Sequence, residues 1–208
     1  MSTPSFRYEK TLWTQGYRLI AGVDEVGCGA WAGSVYAAAV ILAPGKQLRG
    51  VNDSKQLSVA QREELSLLIK EKSVAWAIGI ATVEEINTLN IRKASTLATQ
   101  RALQSLTLQP DWILSDAFPI PGSIPCTPII HGDALSKSIA AASIIAKVAR
   151  DAYMKELDEQ YPGYSFSNNK GYGTKAHQNA LAHLGPSAVH RATYSPIKAL
   201  INKQKRGD

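Results

Sequence analysis

Residues 20–35 read Ile20-Ala21-Gly22-Val23-Asp24-Glu25-Val26-Gly27-Cys28-Gly29-Ala30-Trp31-Ala32-Gly33-Ser34-Val35. An apolar lead-in of β-branched and small residues predicts a strand, and the strand runs into two adjacent carboxylates. Successive strand residues point to opposite faces, so a regular strand does not aim both acids into one site. A strand that ends at the pair and turns through Gly27 and Gly29 does, because glycine accepts tight bends and positive φ. Open glycine backbone also lets N–H groups approach a phosphate or a sugar. Two acids beside exposed backbone suggest a metal site next to a polyanion. The same pattern also suits an ordinary strand end with two solvated acids and a glycine turn.

Composition narrows the class. The 208 residues suit one domain of globular make-up, 45% hydrophobic and 19% charged. A net charge of +6 favours a polyanionic partner such as nucleic acid. Cys28 and Cys126 form no C-x-x-C pair and no zinc pattern, which suits a reduced, cytoplasmic chain. Met1-Ser2-Thr3-Pro4 opens no signal peptide, and the apolar run 35–43 is too short to span a bilayer, so no membrane association is expected.

Along the chain, residues 1–17 predict a lead-in helix or arm. Strands are expected over 17–26 and 34–43, the second with Val35, Ala37, Ala39 and Ile41 on one face. Asn52-Asp53-Ser54-Lys55 reads as a turn, and Ser58 caps a helix to Lys72 whose buried stripe is Leu65, Leu68 and Ile69. A third strand over 74–81 is followed by Thr82 capping a short helix to Leu89, and by a helix over 91–106 stopped by Pro110. Short strands over 111–115 and 127–130 end at Asp116 and at His131-Gly132-Asp133. A helix over 138–160 follows, with Ala140 to Ser143 small enough for close packing on a sheet, and Pro162-Gly163 breaks it. The remainder reads as a helix to about Leu184 and another near 197–203, with a frayed basic end at 203–206. Early strands followed by strand–helix alternation imply one α/β domain with a mixed central sheet flanked by helices.

The chemistry follows from where acids fall. Asp24 and Glu25 end the first strand, Asp116 ends the fourth, and Asp133 follows the fifth. Functional groups of open α/β sheets collect beyond the carboxyl ends of parallel strands. If these three strands are parallel neighbours, four carboxylates converge, a hard-oxygen set suited to Mg²⁺ or Mn²⁺ and able to hold two ions for attack on a phosphodiester. Taken alone, Asp116 reads equally as a solvated strand end and Asp133 as a turn residue. His131 stays open between turn residue, solvated base and site neighbour. Asp53, Asp111, Asp151 and Asp158 read as turns, caps or solvated faces.

Several motifs occur together and in order: D-E-V-G-C-G-A-W-A-G-S-V at 24–35, N-D-S-K-Q-L at 52–57, Asp116, Gly132-Asp133, A-A-S-I-I-A-K-V-A-R-D at 141–151 and K-G-Y-G-T at 170–174. From about Ile20 to Pro196 the chain resembles the ribonuclease HII family. The resemblance implies a ribonuclease H-like fold over 1–208 with a C-terminal helical part from about 162. It implies a metal-dependent endonuclease that cuts RNA in RNA–DNA hybrids and duplex DNA on the 5′ side of single embedded ribonucleotides, leaving 3′-hydroxyl and 5′-phosphate ends. By motif position the metal ligands are Asp24, Glu25, Asp116 and Asp133, holding Mn²⁺ or Mg²⁺. Gly27, Cys28 and Gly29 stand where the family reads the ribose 2′-hydroxyl and adjoining phosphate, and Tyr172 matches a tyrosine that packs on the sugar beyond the junction. Lys55, Lys147 and Lys170 are candidate phosphate contacts. A monomer is expected.

The chain departs from the family pattern in places. Cys28 replaces the usual arginine between two glycines, removing a cation and a bidentate phosphate contact. Ala30-Trp31 stands for Pro-Leu, Ser34 for proline, and His190-Arg191-Ala192-Thr193-Tyr194 loosely matches an Arg-Arg-Ser-Phe-like segment. All four acids are retained. Ribonuclease HIII shares the core but carries an extra N-terminal domain, for which the roughly 20 residues before the first strand are too few. A non-catalytic hybrid-binding protein is the alternative of a different class.

Overall fold

The acid-bearing strand lies in the middle of the sheet. In the computed structural model, which describes residues 3–45, 48, 50, 51, 54 and 57–206, helix α1 (Arg7–Thr14) leads into β1 (Ile20–Val26), β2 (Val35–Ile41), α2 (Val59–Lys72) and β3 (Ala75–Ala81). Helices α3 (Val83–Leu89) and α4 (Ile91–Gln104) follow, then β4 (Trp112–Asp116), β5 (Cys126–Ile129), α5 (Gly132–Leu135) and α6 (Lys137–Gln160). Helices α7 (Phe166–Asn169), α8 (Lys175–Leu184) and α9 (Ser195–Arg206) complete the described residues. Strand order is β3-β2-β1-β4-β5. β2 runs antiparallel to both its neighbours, β1 and β3, while β1, β4 and β5 run parallel as neighbours. The sheet is therefore mixed, and its parallel half brings the ends of the three acid-bearing strands to one side.

Both faces of the sheet are covered, which is why β2 is buried along its whole length and reads as an unbroken apolar run. On one face Ala38 and Val40 pack with Ile69 of α2 and with Ala140, Ala141, Ile144 and Ile145 of α6. On the other, Val35 and Ala37 meet Ala94 and Ala98 of α4, while Ala39 and Ile41 meet Ala102 and Leu103. Two glycines set the spacing of these layers. A Cβ at Gly22 would stand 2.1 Å from the carbonyl carbon of Ser138, and one at Gly79 would stand 2.0 Å from the carbonyl oxygen of Ala98. Any side chain at either position would push α6 or α4 off the sheet.

The C-terminal helices gather on the far end of α6. Met154 and Leu157 pack with Tyr164, Phe166, Leu181 and Ile197. An isolated bridge between Ala32 and His190 ties this part to the loop after β1.

The predicted elements are present with shifted ends. The first strand begins at Ile20, and it continues through the acid pair to Val26, so the turn comes after the carboxylates and not at them. Ser58 and Thr82 cap their helices with full capping boxes, to Gln61 and Glu85. Asp111 is a cap of another kind, accepting the backbone N–H groups of Arg18 and Leu19 at 2.9 Å each. The four-residue helices α5 and α7 carry too little periodicity to be read in advance. The basic end is helical to Arg206. Of the turn expected over 52–55 only Ser54 is described; Asn52, Asp53 and Lys55 lie outside the described residues.

Candidate active site

Asp24, Glu25, Asp116 and Asp133 line one pocket of about 230 Å³, together with Ser54, Ser143, Lys147 and Tyr172. Because β1 stays regular through the pair, Asp24 and Glu25 leave opposite faces. Asp24 turns towards α6, where Ser143 hydrogen-bonds its carboxylate. Glu25 turns towards α4 and meets Cys28 and Ser95. The longer glutamate reaches the strand end and lines the pocket as well. Asp116 ends β4 and accepts the Gly132 backbone N–H at 2.8 Å, which joins it to the turn that presents Asp133. That turn needs His131 in the left-handed region, φ 57°. His131 is exposed and lines no part of the pocket, so it is a turn residue.

The electrostatics are those of crowded anions. Burial pushes the Asp24 carboxyl well above its ordinary range, with Glu25, Asp116 and Asp133 adding repulsion. Glu25 is raised by burial and by Asp116. A hard divalent cation relieves such repulsion and takes oxygen donors of this kind. Among the described residues, no three His, Cys, Asp or Glu side chains are drawn tightly enough to cage an ion as they stand. The donor chemistry fits a divalent cation, and the carboxylates line its pocket without a closed shell.

A larger cavity of about 820 Å³ adjoins this one through Glu25 and Asp116. Ile91, Phe118 and Ile120 supply its apolar wall, and the Arg92 guanidinium lies 5.1 Å from the ring centre of Phe118.

The predicted substrate contacts divide. Gly27 has φ +99°, and a Cβ there would meet Arg150 Nε at 2.2 Å, so only glycine fits. Gly29 is exposed, and a Cβ there would touch only the Tyr172 ring, at 3.7 Å. Cys28 lies half-buried between them with its Sγ 3.7 Å from Glu25 Oε1. Burial, then Glu25, pushes its thiol up to about 12. Tyr172 lies under the Arg150 guanidinium, 5.7 Å from the ring centre. Lys147 lines the acid pocket and pairs with Asp151 at 2.6 Å. Lys170 is not brought to the pocket, because its ammonium turns back to the Ser167 carbonyl. Lys55 lies outside the described residues.

Sequence reasoning missed Ser143, Ser95 and two fully buried arginines. Arg150 donates to the carbonyls of Ser34, Lys170 and Ala32, and Arg191 to those of Gly33 and Cys28. Arg150 sits within the 141–151 motif, which marked the segment without marking the role. Behind Tyr172, the buried rings of His177 and His190 touch Nε2 to Nε2 at 3.0 Å.

Comparison with known proteins agrees with this architecture. The family model described as Ribonuclease HII matches residues 21–196. Ribonuclease HII of Moorella thermoacetica is 52% identical over 190 residues, covering 91% of this chain and 92% of that protein. Ribonuclease HII of Listeria innocua is 50% identical over 192 residues, covering 92% of this chain and 74% of that protein. The crystal structure of ribonuclease H2 from Pyrococcus horikoshii superposes with a TM-score of 0.77 at 24% identity, covering 90% of this chain and 99% of that one. Bst-RNase HIII, solved in complex with Mn²⁺, superposes with a TM-score of 0.66 at 20% identity, covering 91% of this chain and 71% of that one. These last two likenesses speak for the fold. With the family model spanning most of the chain and relatives near half identity along it, the chain belongs to the ribonuclease HII family of endoribonucleases.

Proposed function

We propose that the chain is a divalent-metal-dependent endonuclease that hydrolyses the RNA strand of RNA–DNA hybrids. In this reading it also cuts duplex DNA on the 5′ side of a single embedded ribonucleotide. The observation that carries the proposal is the joint lining of one pocket by Asp24, Glu25, Asp116 and Asp133, with Tyr172 lining it too and the exposed Gly29 backbone beside that ring. Neither a solvated strand end nor a plain binding groove accounts for four acids gathered together, two of them buried and two half-buried.

In the reaction the oxygen of water attacks phosphorus in line with the departing 3′ oxygen. The phosphorus–O3′ bond breaks, the 3′ oxygen takes a proton, and the ribonucleotide keeps the 5′-phosphate. A pair of Mg²⁺ or Mn²⁺ ions, when bound, supplies charge neutralisation at the phosphoryl group under attack. Asp24, Glu25, Asp116 and Asp133 would hold those ions. The Gly27–Gly29 backbone offers N–H donors to the 2′-hydroxyl, the group that distinguishes RNA from DNA. The Tyr172 ring packs against the sugar beyond the junction, and Lys147 lies within the pocket as a phosphate partner.

The test is cleavage of three duplexes, all-DNA, DNA with one ribonucleotide, and RNA–DNA hybrid, in Mg²⁺, in Mn²⁺ and in EDTA. Cutting of the latter two only, abolished by EDTA, with 3′-hydroxyl and 5′-phosphate ends, is expected. Tight hybrid binding without cleavage in either metal would replace the enzyme by a binding protein.

A further inference from the structure

The loop from Gly27 to Gly33 has glycines with positive φ at both ends, +99° and +80°, and nothing in its own sequence makes it rigid. Arg150 of α6 holds its far end through the carbonyls of Ala32 and Ser34, and the Cys28 and Gly33 carbonyls are held from below by one short segment of the C-terminal part. Arg191, fully buried, donates Nε and Nη2 to the Gly33 carbonyl at 3.0 and 2.8 Å. Its Nη1 donates to the Cys28 carbonyl at 3.1 Å and to the Tyr194 hydroxyl oxygen at 2.9 Å. The Tyr194 hydroxyl passes its own hydrogen to the Cys28 carbonyl at 2.5 Å. Four donor groups on two side chains thus fix the carbonyls of residues 28 and 33.

The carbonyl of Cys28 and the N–H of Gly29 belong to one planar trans peptide unit and point in opposite directions. A carbonyl drawn down onto Arg191 and Tyr194 turns the Gly29 N–H away from them. Gly29 is exposed, and what stands next to it is the Tyr172 ring. From this geometry we infer that Tyr194 and Arg191 are positioning residues for ribose recognition, holding the Cys28 peptide so that the Gly29 N–H faces the sugar packed on Tyr172. The inference rests on the proposed reading of this loop as the 2′-hydroxyl contact and names the side chains that set it. The Cys28 side chain has no part in it, since its thiol faces Glu25.

Tyr194→Phe is the informative variant. It keeps the ring that packs against the apolar cluster containing Val35, Ala37 and Ile86 and removes only the hydroxyl. The full chain and the variant are compared on a duplex with one ribonucleotide and on the matching all-DNA duplex. KM for the ribonucleotide duplex is expected to rise by about threefold to tenfold, the scale of one hydrogen bond. Turnover should change by less than about twofold on the same scale, and affinity for the all-DNA duplex should stay unchanged. Backbone hydrogen exchange across 28–31 should quicken. A variant that discriminates ribose from deoxyribose as well as the wild type overturns the clamp and leaves the reading of the loop standing. Equal weakening on both duplexes with a lowered Tm also overturns it, by showing a general folding role. A wild type that binds both duplexes equally removes the ribose reading itself, and the clamp with it.

Discussion

His190 should make the protein lose stability as pH falls through the mildly acidic range. The hydrogen bonds around the histidine pair admit one set of protons. The Ser187 backbone N–H donates to His190 Nδ1 at 2.9 Å, so His190 carries its proton on Nε2 and donates to His177 Nε2. His177 then carries its proton on Nδ1 and donates to the Tyr172 carbonyl at 3.0 Å. Every nitrogen is satisfied only while both rings are neutral. Burial, then the neighbouring His177, pulls His190 down from 6.5 to about 4, and burial lowers His177 as well. The unfolded chain therefore binds more protons than the folded one between those two values. The stabilisation is fully present above pH 6.5 and is lost as pH falls towards 4. For His190 alone the loss from pH 7.5 to 5 comes to about 2 kcal/mol, approaching about 3 kcal/mol when both states are protonated. Urea unfolding at pH 7.5 and 5.0, on the wild type and on His190→Gln, measures it, because titrating carboxylates are common to both proteins and cancel in the difference. The wild type should lose about 2 kcal/mol more than the variant. Parallel loss in the two proteins would refute the argument.

Three further outcomes are expected. Asp116→Asn or Asp133→Asn should leave the fold intact and lower cleavage on the order of a hundredfold or more, since neutral ligands hold Mg²⁺ and Mn²⁺ poorly; near-normal turnover at saturating metal, with an undiminished Mn²⁺-induced rise in Tm, would remove those residues from the site. Tyr172→Phe should stay within about twofold of wild type, whereas Tyr172→Ala should lose ~1–3 kcal/mol of substrate affinity, the scale of one stacking contact; equal effects of the two changes would leave the ring without a role. With its thiol pushed up to about 12, Cys28 carries almost no thiolate at neutral pH, so mild peroxide should spare activity. Reversible inactivation of the wild type that is absent in Cys28→Ser would contradict that.

The parallel half of the sheet was legible because it depends on patterns a sequence displays. Short apolar runs ending in Asp24-Glu25, Asp116 and Gly132-Asp133 bring their acids together if the strands are parallel neighbours, and β1, β4 and β5 are such neighbours. The acid pair was misjudged because two adjacent carboxylates looked incompatible with one site unless the strand broke. It does not break; the pair straddles the sheet, and Glu25 is long enough to reach round. The buried arginines were illegible for a different reason. Their partners are backbone carbonyls, which every residue has, so no residue type elsewhere in the chain announces them. A lysine or arginine in a sequence reads as solvated, and only the folded loop shows that Arg150 and Arg191 are enclosed. Lys170 misled in the opposite sense, as a cation beside a glycine turn that its own backbone uses up.

These arginines bear on the missing cation at position 28. Arg150 and Arg191 have no exposed surface, and among the described residues neither forms an ion pair with a carboxylate. Apart from one to the Tyr194 hydroxyl oxygen, their hydrogen bonds end on carbonyl oxygens of residues 28, 32, 33, 34 and 170. Burial lowers both pKa values, yet a guanidinium stays charged across any working pH. Two positive charges thus lie beneath the loop proposed to meet the sugar and its phosphate, in surroundings that screen them far less than water does. An arginine at position 28 adds a contact from above, whereas these two supply a field from below that does not depend on residue 28. Cysteine at that position is therefore compatible with phosphate binding, and the cost of its presence falls on one directional contact. The acids sit on the parallel sheet and the reading loop hangs from the C-terminal part, so damage to either should separate cleanly. A lost carboxylate should spare ribose discrimination in binding, and a lost clamp should spare metal binding.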